Sequence, residues 1–424
     1  MTVSFAASAR TVLDPAHLRA ALRTTPADST AAAAVRCAAA VAVAVAASAL
    51  TGHRELAGFA AMGALTSLYG RWEPYRRRAA LLAVMGGAIA ATVVASTGVA
   101  ATGAPVSVTV LLAALVATAM TALCALLRVG APGATIVVFA VGAGLAGAPT
   151  ASDLGTRALA TLGGAVVAWA VCCSGWLVHP AGPARIAVRR AADATRSAAS
   201  TGLPGPREHA LALVGRARDV LADDASHPRG RSATADLRMV CDDLSSALGD
   251  PPLPLPRRRT LRATLAVEVR RVDGRELARV LVAGLAAGAL AVLAGTGHAA
   301  WAVMGATATL QGTSAAHSVV RGTQRAAGTA IGAVVAWPLL EAHLGFWAVA
   351  ALVVVLQLVT EIVVMRHYGV AMLTITPMAL LMTTLAAPGD PTTLAFERVT
   401  ATVVGAVVAV AVLVVVPRRS SGAA

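Results

Sequence analysis

The chain has 424 residues, 57% of them hydrophobic and 13% charged, with a mean hydropathy of +0.72. A soluble protein of this length carries more surface charge, so the composition excludes that class and indicates a polytopic membrane protein. The net charge of +14 would suit a nucleic-acid binder, but every basic side chain is Arg and most cluster at segment ends: Arg76-Arg77-Arg78, Arg189-Arg190, Arg257-Arg258-Arg259, Arg418-Arg419. That is the distribution positive-inside topology requires, so no nucleic-acid partner is expected.

In chain order, residues 1–30 read as a cytoplasmic arm. Arg10, Asp14, Arg19 and Arg23 interrupt any signal-peptide core, and Asp14-Pro15 reads as the start of a short amphipathic helix. A spanning helix needs about 20 mainly apolar residues. Such stretches fall near 32–51, 55–70, 79–100, 105–127, 133–149 and 156–178, and again near 277–295, 299–313, 320–340, 345–365, 369–387 and 395–416. The expected fold is all-α, with about twelve transmembrane helices as two six-helix repeats, 31–178 and 275–417, separated by a helical cytoplasmic insert at 179–274 and followed by a tail at 418–424. The second span of each half is short enough to be re-entrant. Aromatic residues make up only 3% of the chain, so the apolar mass is Ala, Val and Leu, which favours close helix packing.

The repeat is visible residue by residue. Met62-Gly63-Ala64-Leu65-Thr66-Ser67-Leu68-Tyr69-Gly70 returns 242 positions on as Met304-Gly305-Ala306-Thr307-Ala308-Thr309-Leu310-Gln311-Gly312. Arg157, Thr161 and Gly164-Ala165-Val166-Val167-Ala168 return 241 positions on as Arg398, Thr402 and Gly405-Ala406-Val407-Val408-Ala409. An even number of spans per copy makes the two copies parallel, an arrangement that transporters use. Loops rich in Arg at 71–78, 128, 179–190, 313–325, 366–367 and 417–419 put both termini on the cytoplasmic side.

No enzyme is expected. Gly142-Ala143-Gly144-Leu145-Ala146-Gly147 fits the letters of a dinucleotide fingerprint but follows no strand, and no phosphate-binding GxxxxGK[ST], GxSxG or HExxH occurs. Cys37, Cys124, Cys172, Cys173 and Cys241 form no CxxC pair, so neither a disulfide framework, a metal site nor a cofactor follows.

The polar residues inside the spans are more specific. Arg321, Arg325, Gly328, Thr329 and Gly332 share one helix face, where the two glycines admit a close neighbour and Arg325 supplies charge. Gln357 and Glu361 also share a face. A carboxylate at the depth of Glu361 costs a few kcal/mol unless paired or protonated, which makes it the proton-coupling candidate; a fixed ion pair with Arg325 or Arg366 is the structural alternative. Arg366, His367 and Tyr368 follow at the inner surface, then Thr376 and Pro377, whose ring kinks the helix and frees a carbonyl. Arg325, Gln357, Arg366, His367, Tyr368 and Thr376 are the substrate-path candidates; Gly328, Thr329, Gly332 and Pro377 are packing and kink positions. At the outer side, Glu397-Arg398 reads as a surface salt bridge.

The stretches 301–312 and 325–332, Glu361 to Tyr368, and Thr376-Pro377-Met378-Ala379-Leu380-Leu381 resemble the fusaric acid resistance family, also called aromatic acid exporters, over about 299–416. The first half is similar to a diverged second copy, with Ala83 where the second copy has Arg325 and Ala90 where it has Gly332. The resemblance implies a multi-pass efflux protein of the bacterial inner membrane, in contact with lipid, driven by proton motive force, exporting small aromatic or amphipathic carboxylic acids and forming a homo-oligomer. The competing reading is a non-transporting assembly or envelope protein that acts through its insert.

Overall fold

The computed structural model describes residues 14–24, 31–201, 204–226, 228–251, 254–256, 261–269, 272–312, 314–387 and 389–416. The tail at 418–424, Arg257-Arg258-Arg259 and most of the arm at 1–30 lie outside the described residues. Those described are helical throughout, with no strand. A short α1 (Ala16–Ala21) precedes α2 (Ala31–Leu50), α3 (Ala57–Ala64), α4 (Tyr75–Ala101), α5 (Val106–Leu126), α6 (Thr135–Leu145) and α7 (Asp153–Cys173). The insert supplies α8 (Gly182–Thr201), α9 (Pro204–Asp224), α10 (Pro228–Ala233), α11 (Ala235–Ala247) and α12 (Leu261–Glu268). The chain closes with α13 (Gly274–Leu293), α14 (Ala299–Leu310), α15 (Ala315–Glu341), α16 (Phe346–Val363), α17 (Tyr368–Ala386) and α18 (Pro391–Val415).

Local chemistry sets several helix starts. Side chains of Asp273, Ser314 and Asp390 accept the backbone N–H of Arg275, His317 and Thr393 at the heads of α13, α15 and α18. Asp14 Oδ1 accepts from Ala16 N at 2.8 Å at the head of α1.

Eight helices are long and apolar enough to cross a membrane among the described residues. They are α2, α4, α5, α7 with its extension to Val178, α13, α16, α17 and α18, so the chain is a polytopic all-α membrane protein. The expected count of twelve is higher because four segments differ. α3, α6 and α14 run only 8, 11 and 12 residues. α15 is long, at 27 residues, but Arg321, Gln324, Arg325 and Glu341 make it too polar for a plain lipid-facing span. Exposed Val35, Leu111, Leu159, Val166, Val334 and Phe396 face outward, where lipid covers them.

Each half packs in the same way. α3 lies on α7, α4 on both α6 and α7, and α2 on α3 and α7; in the second half α14 lies on α18, α15 on both α17 and α18, and α13 on α14 and α18. Across the halves α2 meets α16 while α13 meets α5, and α17 meets α3 while α14 meets α6. Glycines set the tightest crossings. A Cβ on Gly164 would sit against Ala60 O and 3.0 Å from Ala64 N, and one on Gly63 would press into Thr161 O. Gly405 repeats this at Ala302 O and, at 2.7 Å, Ala306 N. Backbone thus touches backbone at both crossings, which only small residues permit.

α8, α9 and α11 bury a separate core whose spacing (Ala184, Val188, Ala191; Ala210, Val214, Ala217, Leu221) is that of amphipathic helices. They dock on the segment after α3: Arg216 Nη2 meets Glu73 Oε1 at 2.7 Å, Arg76 Nη1 donates to Ser226 Oγ at 3.1 Å, and the Arg190 guanidinium lies 3.5 Å from the Trp72 ring centre.

Two predictions follow from this packing. Gly164→Ala drives α3 from α7 and lowers stability by about 1–3 kcal/mol, whereas Gly87→Ala, with nothing within 4 Å of the added Cβ, does not; detergent thermal unfolding compares them. In the insert, burial with Asp223 alongside pushes the Asp224 carboxyl up to about 7 against the Ala184 N–H and Arg78, which act to lower it. A folded-state value above the ordinary 3.8 means the folded protein holds the proton more tightly. The contribution of this carboxyl to stability is therefore full below about pH 4 and declines as pH rises through 7. Asp224→Asn is expected to flatten that decline and raise the unfolding midpoint at pH 8.

Candidate functional site

At the arginine-rich end, enclosed by α1, α2, α8, α9, α15, α16 and α17, is a cavity of about 1280 Å³. Its lining includes twelve arginines but only two carboxylates, Glu73 and Glu361. Both carboxylates are already engaged, Glu73 by Arg216 and Glu361 by Arg71. The cavity is thus a water-accessible chamber with a large positive excess and low-dielectric walls, a combination that concentrates anions.

Glu361 is buried on α16, and its partner is Arg71, whose guanidinium reaches in from the first half. Neither Arg325 nor Arg366 makes this pair, because each is held elsewhere. Arg366 Nη1 donates to Ile362 O at 2.8 Å in the turn that ends α16. Arg325 Nη1 donates to Tyr368 Oη at 2.7 Å, while the Arg321 guanidinium covers the same ring at 4.1 Å and its Nε bonds Ala308 O at 2.8 Å. Tyr368 is therefore clasped between two arginines. The Arg71–Glu361 contact joins the two halves across 290 positions of sequence, a pairing that helical periodicity within one span cannot reveal.

Arg325, Gln357, Arg366, His367 and Tyr368 all line the cavity. His367 also caps α17, its Nδ1 accepting Val370 N–H at 3.1 Å. Both side-chain amide atoms of Gln357, which is 1% exposed, lack a protein partner. Thr376 is different. It lies in the crossing of α15 and α17, where a Cβ on Gly332 would come within 2.9 Å of its own Cβ, so it belongs to the helix contact and not to the cavity lining. Gly328 sits one turn earlier at the same crossing, 2.6 Å from Met372 Cβ by the same measure, and Thr329 is buried beside it. α17 continues through Pro377 without a break.

Two neighbouring charged residues separate into distinct settings. Glu397 does not pair with Arg398; its carboxylate takes Gly297 N at 2.7 Å and His298 Nδ1 at 2.5 Å. Arg398, 2% exposed, turns inward to line the cavity, with its guanidinium 5.1 Å from the Trp301 ring centre and 5.9 Å from that of Phe139. Adjacent helical residues point about 100° apart, so the sequence neighbours diverge. Phe139 also lines a second small pocket of about 20 Å³ with His298, Trp301 and Met382. The glycine-rich run at 142–147 sits nearby: a Cβ on Gly144 would meet Val93 O at 2.8 Å, so helix packing accounts for it.

Sequence reading gives no site role to Arg71, Arg398, Phe139 or Trp301. The available signal was the recurrence of Arg157 as Arg398 and of Phe59 as Trp301, at the repeat offset of 241 to 242.

No curated protein and no solved structure matches the chain. Residues 285–412, running from within α13 into α18 and carrying Arg325, Gln357, Glu361, Tyr368 and Arg398, match the family model described as fusaric acid resistance protein-like.

Proposed function

We propose that the protein is an efflux transporter of the bacterial inner membrane that exports small aromatic or amphipathic carboxylic acids using proton motive force. The observation that carries this reading is the cavity itself: a chamber of about 1280 Å³ in a bundle of membrane-spanning helices, with twelve arginines and two carboxylates, Glu73 and Glu361, in its wall. Its volume exceeds that of a typical small-molecule pocket, leaving room for the water an open chamber holds. The domain match and the spanning helices support the same class.

The matched helix pairings of the two halves, and the matching glycine crossings at Gly164 and Gly405, support two parallel copies of one six-helix module. Arg-rich segments at the cavity end support a cytoplasmic opening and cytoplasmic termini. In this reading anions enter past Arg321, Arg325, Arg366 and His367, and Gln357 and Tyr368 line the path. Glu361 exchanges its hold on Arg71 for a proton. A proton on Glu361 frees Arg71 to face the anion, so proton binding and anion binding both act through one ion pair. No covalent chemistry is assigned to any residue.

Removing one partner of a buried ion pair leaves an uncompensated charge, so Glu361→Gln lowers stability by about 3–5 kcal/mol and Arg71→Gln by a similar amount, while the double variant costs less than the sum. Chemical denaturation in detergent reads that cycle. In proteoliposomes with an internal pH dye, 2-naphthoate is expected to drive proton movement in the native protein and none in either the Glu361→Gln or the double variant. Coupled proton movement in the folded double variant would exclude Glu361 as the carrier.

A further inference from the structure

Arg157 and Arg398 stand at the same position of the two halves, and both lie over an aromatic ring on the short helix of their half. The Arg157 guanidinium is 4.7 Å from the Phe59 ring centre and that of Arg398 is 5.1 Å from Trp301. Their remaining contacts differ. Arg157 Nη1 donates to Gly144 O and Ala146 O, both at 3.1 Å, which satisfies the carbonyls at the end of α6. Arg398 has no such acceptor: its Nε and Nη1 are buried without a hydrogen-bond partner, and no carboxylate pairs with it among the described residues.

A buried guanidinium held only by ring faces is expensive for the protein unless something of opposite charge visits it. Gln357, at the same cavity wall, likewise offers a buried amide with neither its nitrogen nor its oxygen engaged. Met304, Met378 and Ala379 supply apolar lining in the same chamber. Donors without acceptors, beside aromatic and thioether surface, match an organic anion with one carboxylate and an apolar body.

Resting on the transport reading above, we infer that Arg398 is the residue that recognises the carboxylate of the exported anion, at the wall of Phe139 and Trp301 between the cavity and the small pocket beyond it. A carboxylate accepts two parallel N–H bonds from the guanidinium fork and so outcompetes the ring faces. Anion binding draws Arg398 off Trp301 and Phe139 and loosens the wall they form. Recognition of the correct charge and opening of the barrier are then one event. Arg157, tied to two carbonyls, is the scaffold counterpart and takes no ligand.

The test uses the full chain in nanodiscs and calorimetric titration of 2-naphthoate against its neutral analogue 2-naphthamide, alongside thermal unfolding. The native protein is expected to prefer the acid by about tenfold or more. Arg398→Gln should abolish that preference by weakening acid binding with amide binding unchanged, and Arg398→Lys, which keeps charge without the fork, should fall between. Arg157→Gln should keep the acid preference and lower the unfolding midpoint. A folded Arg398→Gln with the native ratio overturns the proposal while leaving the transport reading standing. Should the Gln variant not fold, a native ratio in Arg398→Lys overturns it. A native protein that prefers neither ligand overturns both readings.

Discussion

Backbone contact between a short buried helix and the last helix of each half is the constraint on which the rest depends. At Gly164 and Gly405 the closing helix comes so near α3 or α14 that a methyl group would collide with a carbonyl and an amide. The closeness is what lets an eight- or twelve-residue helix be held fully inside the bundle, with every residue of α3 and α14 buried. It also fixes where Arg157 and Arg398 emerge, two turns before those glycines on α7 and α18. Each guanidinium is therefore delivered onto the ring carried by the partner helix, Phe59 or Trp301. Packing of small residues thus positions charge.

That placement has an electrostatic consequence. A bundle this apolar must answer each buried cation with an acceptor, and the two halves answer differently. The first half uses main-chain carbonyls: Arg78 donates to Gly70 O at 3.0 Å and Cys172 O at 3.1 Å, and Arg157 to the end of α6. In the second half Arg325 uses the Tyr368 hydroxyl, leaving its own Nε unpartnered, and Arg398 has ring faces alone. Arg78 and Arg157 thus find acceptors within the first half, while Arg325 and Arg398 each keep a buried donor without a partner. The Arg71–Glu361 pair bridges the two regimes, and its neighbours Trp72 and Glu73 are held by Arg190 and Arg216 of the insert. The insert is thereby joined mechanically to an ion pair that crosses between the halves.

Membrane character, helical content and the depth of Glu361 were legible in sequence because each depends on runs of apolar residues broken by identifiable polar ones. Span number was less so: α3, α6 and α14 are as apolar as true spans yet too short, since neighbours and not lipid surround them, and hydropathy does not distinguish those settings. The partner of Glu361 was hidden because local spacing offers Arg325 and Arg366, whereas the contact comes from the other half. Thr376 reads from sequence as a substrate-path candidate, but the close approach at Gly332 commits that face to α15.

Glu397 and Arg398 carry the clearest lesson, because neighbouring opposite charges suggest a salt bridge and helical geometry forbids one of any strength. Glu397 points to the loop before α14, where Gly297 N and His298 receive it, and the ring of His298 stacks on Trp301 at 4.2 Å. Arg398 approaches Trp301 from the cavity side. One indole thus contacts both the imidazole that Glu397 holds and a guanidinium, so any movement of Arg398 is felt at its ring. A change of charge at Glu397 or His298 acts on the same ring through His298. Glu397, His298, Trp301 and Arg398 are therefore joined in one run of contacts, set in place by the glycine crossing at Gly405.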